Sequence, residues 1–90
     1  MLVLPEAITH ASAAACLASL SSTLDKESGT ELVLDAGGLR RFDSAALAVL
    51  LEVRRNVLKM GKKLVLKNAP QRLQDLAALY GIAELLPSTA

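Results

Sequence analysis

Aromatic residues are almost missing from this chain of 90 residues: Phe42 and Tyr80 are the only two, and there is no tryptophan. Platforms that stack single-stranded nucleic acid need several such rings, so nucleic acid is not the expected partner. A single cysteine, Cys16, excludes an intramolecular disulfide and a cysteine-based metal cluster. It lies among alanines and leucines at helical spacing, the setting of a small buried hydrophobe. His10 is the only histidine. Without a second ligand or a Ser-His-Asp order around it, a surface or capping role is expected rather than metal binding or catalysis. The carboxylates are scattered and form no acid–base pair. Gly37-Gly38 matches neither Gly-x-Gly-x-x-Gly nor the phosphate-loop pattern. Its glycines are expected to supply backbone angles closed to other residues. No apolar run approaches the roughly 18 residues of a membrane span, and no signal segment is read. The expectation is a cytoplasmic, non-enzymatic protein with no cofactor, no metal and no direct membrane insertion.

What the chain does have is apolar content, 52% of its residues, and one unevenly placed charge. Ninety residues make one domain, 1–90, with a modest core. Nine of the ten basic residues fall between Arg40 and Arg72, where the only acids are Asp43 and Glu52, giving 9 − 2 = +7 over that span against +1 for the whole chain. Such a span is either a solvated face or a docking surface for an acidic partner.

The hydrophobic pattern alternates between strand and helix. Leu2-Val3-Leu4 reads as a short strand ended by Pro5 and Glu6. Thr9 to Asp25 reads as a helix with the stripe Ala13, Cys16, Leu17, Leu20, Leu24. Glu31 to Asp35 is a buried strand, and Ser44 to Met60 a helix stopped by Gly61. Leu64-Val65-Leu66 is the next strand. Pro70 opens a further helix in its first turn, with Leu73, Leu76, Ala77 and Tyr80 on one stripe. Ile82 to Leu86 is a last short element before a frayed 87–90. The order β-α-β-α-β-α makes an α/β fold, a small mostly parallel sheet with helices packed on it.

The main candidate site is Asp43-Ser44. One of the two caps the second helix. Ser44 is also placed for phosphorylation, since the positive end of a helix stabilises a phosphoryl group while the Asp43 charge opposes it. The helix that follows is apolar all round in its first turns. The stripe Ala46-Val49-Leu50-Val53-Val57-Met60 serves the core, which leaves Leu47 and Leu51 on a flank in line with Arg54 and Arg55. Either a neighbouring element covers that flank or a partner does; the partner reading is preferred, because few elements remain.

The apolar strand Leu32 to Asp35, the run Phe42-Asp43-Ser44-Ala45-Ala46-Leu47, the segment Gly61-Lys62-Lys63-Leu64-Val65-Leu66, and Leu73 to Leu79 with Gly81-Ile82 together resemble a STAS domain over residues 2–86. At the helix start the family pattern is Asp, Ser or Thr, Ser/Thr/Ala, Gly, and Ala46 stands where glycine is usual. In the anti-sigma factor antagonists of the family, the residue matching Ser44 is phosphorylated by a kinase-type anti-sigma factor. Phe42 to Leu51 and Leu79 to Pro87 are similar to the MlaB-type branch, small cytoplasmic STAS subunits of an ABC transporter that moves phospholipids between the membranes of Gram-negative cells. This resemblance implies an accessory subunit, peripheral to the inner membrane, that binds the transporter's ATPase beside its permease. It implies that Ser44 faces that ATPase, and the flank of Leu47, Leu51, Arg54 and Arg55 next to Asp43-Ser44 is the rest of the expected contact. The alternative is an antagonist whose partner is an anti-sigma factor kinase.

Overall fold

A computed structural model describes residues 2–24, 29–85 and 88–89. In chain order the elements are β1 (Leu2–Val3), β2 (Ala7–Ile8), α1 (Ala13–Leu24), β3 (Glu31–Asp35), β4 (Arg41–Phe42), α2 (Ser44–Lys59), β5 (Lys63–Lys67), α3 (Gln71–Leu79), a 3-10 turn at Ala83–Leu85, and β6 (Ser88–Thr89). Four strands form one parallel sheet in the order β1-β3-β5-β6. The centre is β3 beside β5, with Leu32 opposite Leu64 and Leu34 opposite Leu66, all four buried. Parallel neighbours need crossover connections, and α2 supplies the one between β3 and β5. Helices α1 and α2 pack on each other, and α2 packs on β5.

The core forms where the α2 stripe meets the sheet. Ala46, Leu50, Val53 and Val57 are fully buried, with Val49 nearly so. Leu73 and Ala77 of α3 and Leu20 of α1 join the same cluster. Among the described residues no buried side-chain nitrogen or oxygen lacks a hydrogen-bond partner.

Several expectations change. A second, two-stranded parallel sheet pairs β2 with β4, Ala7 with Arg41 and Ile8 with Phe42. Two-residue strands carry too little periodicity to be read, yet Ile8 is fully buried. Helix α1 begins at Ala13, because Thr9 to Ser12 closes a turn of its own in which Ser12 Oγ accepts from the Thr9 N–H at 3.0 Å. Pro70 is the residue before α3, not its first turn. Met60, placed on the core stripe, is exposed, as α2 has already ended. The C-terminal segment read as frayed contains β6, paired to Leu66 and Lys67 of β5; Leu24's side chain, Asp25, Leu86, Pro87 and Ala90 lie outside the described residues. No helix among the described residues is long and apolar enough to cross a membrane.

The strand ends at the site are clamped. Asp35 Oδ1, at the end of β3, accepts from the Gly37 N–H at 2.8 Å and from Asn68 Nδ2 at 3.2 Å. These bonds hold the Asp35 carboxyl below its ordinary pKa, the Gly37 N–H first and Asn68 second. Asn68 follows β5 at φ +58°, a left-handed conformation that asparagine tolerates. Gly37 sits at a close approach rather than at a special backbone angle: a Cβ there would lie 3.0 Å from Asp35 Oδ1 and 3.3 Å from Asn68 Cβ, so those side chains would have to give way. At Gly38 a Cβ would meet nothing within 4 Å, so nothing in the structure requires that glycine.

Candidate functional site

Helices α2 and α3 both begin just beyond the C-terminal ends of neighbouring parallel strands, α2 after β3 by way of β4, and α3 after β5. That topology brings their starts together, at the edge where open parallel sheets commonly receive ligands and partners. Asp43 settles the capping question. In extended conformation (φ −129°), its Oδ1 accepts from the Ala45 N–H at 2.9 Å and its Oδ2 from the His10 N–H at 3.2 Å. One carboxylate therefore ends α2 and ties it to the turn after β2, which leaves Ser44 as the first helical residue, exposed. His10 is exposed and takes part through its backbone.

A groove of about 440 Å³ opens beside Ser44. Phe42, Asp43 and Ser44 form one wall; Arg72, Asp75, Leu76, Leu79 and Tyr80 of α3 and its cap form the other. The Arg72 guanidinium lies over the Phe42 ring, 5.0 Å from its centroid, a cation–π contact that joins the walls. Asp75 is engaged along α3, where its Oδ1 accepts from Gln71 Nε2 at 2.9 Å. Leu79 is 80% exposed and Tyr80 56%, so apolar surface lies open at the rim. Tyr80, expected on the buried stripe of α3, instead caps the helix, where the chain turns away at Gly81.

The six expected contact residues separate. Asp43 and Ser44 sit on the groove. Leu47 does not belong to any open surface: it is 3% exposed and part of the core cluster. The correction has a simple cause. Ala45, Ala46 and Leu47 are all buried, and three consecutive helical residues sweep about 200° of the helix. The start of α2 is thus enclosed by its own domain on more than one side. Leu51 is half-buried against the same core. Arg54 is half-buried and Arg55 exposed, but they lie 10 and 11 residues along α2 from Ser44, about 15 Å away. Arg55 pairs with Glu52 at 3.8 Å with both side chains well exposed, a contact worth little. The groove residues of α3 were absent from the expected set. The β-α-β-α order held the signal that could have found them, since helices that follow adjacent parallel strands start side by side.

Among the described residues no group of three or more His, Cys, Asp or Glu could hold a metal ion. Cys16 is half-buried on α1, and burial pushes its thiol pKa up, away from the reactive thiolate. The site offers a hydroxyl, a cation stacked on an aromatic ring and an apolar rim, the makings of a contact surface. No curated protein matches the chain. The family described as Mlab, STAS domain, matches it over residues 1–87. With its parallel sheet, three helices and an exposed serine opening α2, the chain belongs to the STAS domain family, that of small accessory and anti-sigma-antagonist-like domains.

Proposed function

We propose that this protein is a non-enzymatic accessory subunit that binds and stabilises the ATPase of a phospholipid-trafficking ABC transporter, on the cytoplasmic side of the inner membrane beside the permease. The contact is the groove between the start of α2 and α3. The observation that carries this reading is the open apolar rim at Leu79 and Tyr80 next to the exposed Ser44. Two large apolar side chains left in water beside a polar anchor are what a docking surface presents before its partner arrives. Burying Leu79 and Tyr80 would contribute on the order of 1.5–3 kcal/mol each. The MlaB-type resemblance supports the choice of an ATPase as partner.

The experiment is co-purification from native membranes with wild type and Ser44→Glu, with partners identified by mass spectrometry. An ABC ATPase and its permease, captured by wild type and lost with Ser44→Glu, is the expected result. Capture of a kinase-type anti-sigma factor in their place would replace the reading.

The second reading, a phospho-regulated anti-sigma factor antagonist, is favoured by one observation: Ser44 is exposed at the first position of α2, where the helix end favours added negative charge. It requires a phosphate on Ser44. Intact mass of the protein from its own cells, with no added phosphoryl group under any growth condition, would remove it.

A further inference from the structure

We infer that the C-terminal end of α2 is a second contact surface, whose partner is the anionic headgroup layer of a lipid membrane. From Arg54 to Lys63 the chain places five cations, Arg54, Arg55, Lys59, Lys62 and Lys63, and no acid. The segment is continuous in space: it is the end of α2, the turn at Met60 and Gly61, and the first residue of β5. Gly61, at φ +73°, makes that turn by stopping α2 in a left-handed conformation. Arg55, Leu58, Lys59, Met60 and Lys63 are exposed. Among the described residues two carboxylates flank the cluster, Glu52, which pairs with Arg55, and Glu31, which lies opposite Lys63 in the β3–β5 register.

Two aliphatic side chains stand among these cations, Leu58 at 49% and Met60 at 38% exposure. Cations around exposed aliphatic groups are the composition of a surface that rests at the headgroup–acyl boundary, the apolar groups dipping in while the charges stay at the phosphates. Arg54, Arg55 and Met60 are residue types that protein interfaces also use, but no aromatic anchor accompanies them, and three of the five cations are lysines, in which protein interfaces are depleted. A diffuse negative surface needs no such pocket and rewards each Lys or Arg brought near it.

Ser44 and Lys59 are 15 residues apart on one helix, about 22 Å. The groove and the basic end can therefore be engaged together, and either surface can exist without the other.

The test is co-sedimentation of the purified full-length protein with vesicles of phosphatidylcholine alone and of equimolar phosphatidylcholine and phosphatidylglycerol, across a range of salt. Binding is expected only with phosphatidylglycerol, and it weakens as salt rises. Each cation neutralised at the basic end lowers partitioning about five-fold, the equivalent of about 1 kcal/mol. Arg55→Gln with Lys59→Gln is thus expected to lose about twenty-five-fold. Arg40→Gln with Arg41→Gln removes the same charge from exposed positions at the opposite end of α2, and is expected to change partitioning less than two-fold. Circular dichroism confirms that each variant is folded. Failure to bind phosphatidylglycerol vesicles at low salt, or equal losses in the two double variants, overturns the proposal. Tighter binding to a duplex DNA probe than to the vesicles also overturns it and makes the surface one for nucleic acid. Loss of ATPase capture in the co-purification above bears on the groove alone.

Discussion

At its N-terminal end α2 is held by a carboxylate cap and faces a groove with an apolar rim; at its C-terminal end it stops on a glycine among lysines. The first end is heavily engaged with its own domain. Asp43 bonds both to α2 and to the turn before α1, Leu47 is sealed in the core, and Arg72 is stacked on Phe42. The second end carries a weak exposed ion pair at Arg55 and sets aliphatic side chains in water. One span of nine basic residues thus divides into two surfaces of different character. Arg40, Arg41 and Arg72 belong to the end where strands β3 and β5 finish, while Lys59, Lys62 and Lys63 belong to the end where β5 starts. Preformed geometry distinguishes the first, which we propose holds a shaped partner, and clustered charge the second, for which we propose a diffuse one.

The largest expected effect separates burial from contact at the first end. Leu47→Asp would bury an unpaired carboxylate and is expected to destabilise the fold by about 3 kcal/mol or more. Leu79→Asp, at an exposed position, is expected to change stability by less than about 0.5 kcal/mol while abolishing partner capture. Urea denaturation of the two variants checks this. Similar stabilities would mean that Leu47 is not sealed as described.

Next in size is the cap. Asp43→Ala removes the acceptor for the Ala45 and His10 N–H groups and is expected to cost about 1–2 kcal/mol, with Asp43→Asn recovering part of the loss. Equal losses for Ala and Asn would assign the effect to charge rather than to capping. The link across the groove is smaller. Phe42→Leu keeps an apolar side chain but removes the ring beneath Arg72, and a double-mutant cycle with Arg72→Gln is expected to give a coupling of about 0.5–1 kcal/mol. Zero coupling would leave the two walls of the groove independent.

The smallest effect is pH-dependent. The Asp35 pKa is lowered by the Gly37 N–H and Asn68, so its stabilising contribution is present above the ordinary carboxylate pKa of about 4 and is lost as pH falls through the lower folded value. The stability gap between wild type and Asp35→Asn should narrow as pH drops below about 4, as read by denaturant melts at a series of pH values. A gap that widens on acidification would have the sign wrong.

The elements legible from the sequence are those whose signals are long and local. Glu31–Asp35 stands out as an unbroken apolar strand, and α2 carries its stripe, an N-terminal Asp-Ser and a C-terminal glycine. The elements not legible there depend on partners far along the chain. Ala7-Ile8 and Arg41-Phe42 become strands only by pairing with each other across more than thirty residues. The burial of Leu47 is not legible because a helical wheel shows which residues share a face but not how far a domain wraps around a helix end. Leu79 and Tyr80 became candidates only once parallel pairing of β3 and β5 set α3 beside Ser44. Gly37 is visible in the sequence as a glycine, but the close approach of Asp35 and Asn68 to it comes from two strand ends 33 residues apart.

The most direct test of the central claim, that the α2–α3 groove and not the basic end holds the ATPase, is co-purification of that subunit with two variants of opposite placement. Leu79→Asp alters the groove rim and Lys59→Glu the basic end. The expected result is ATPase retained by wild type and Lys59→Glu and absent from Leu79→Asp. ATPase retained by Leu79→Asp but lost with Lys59→Glu, or absent from wild type, would contradict it.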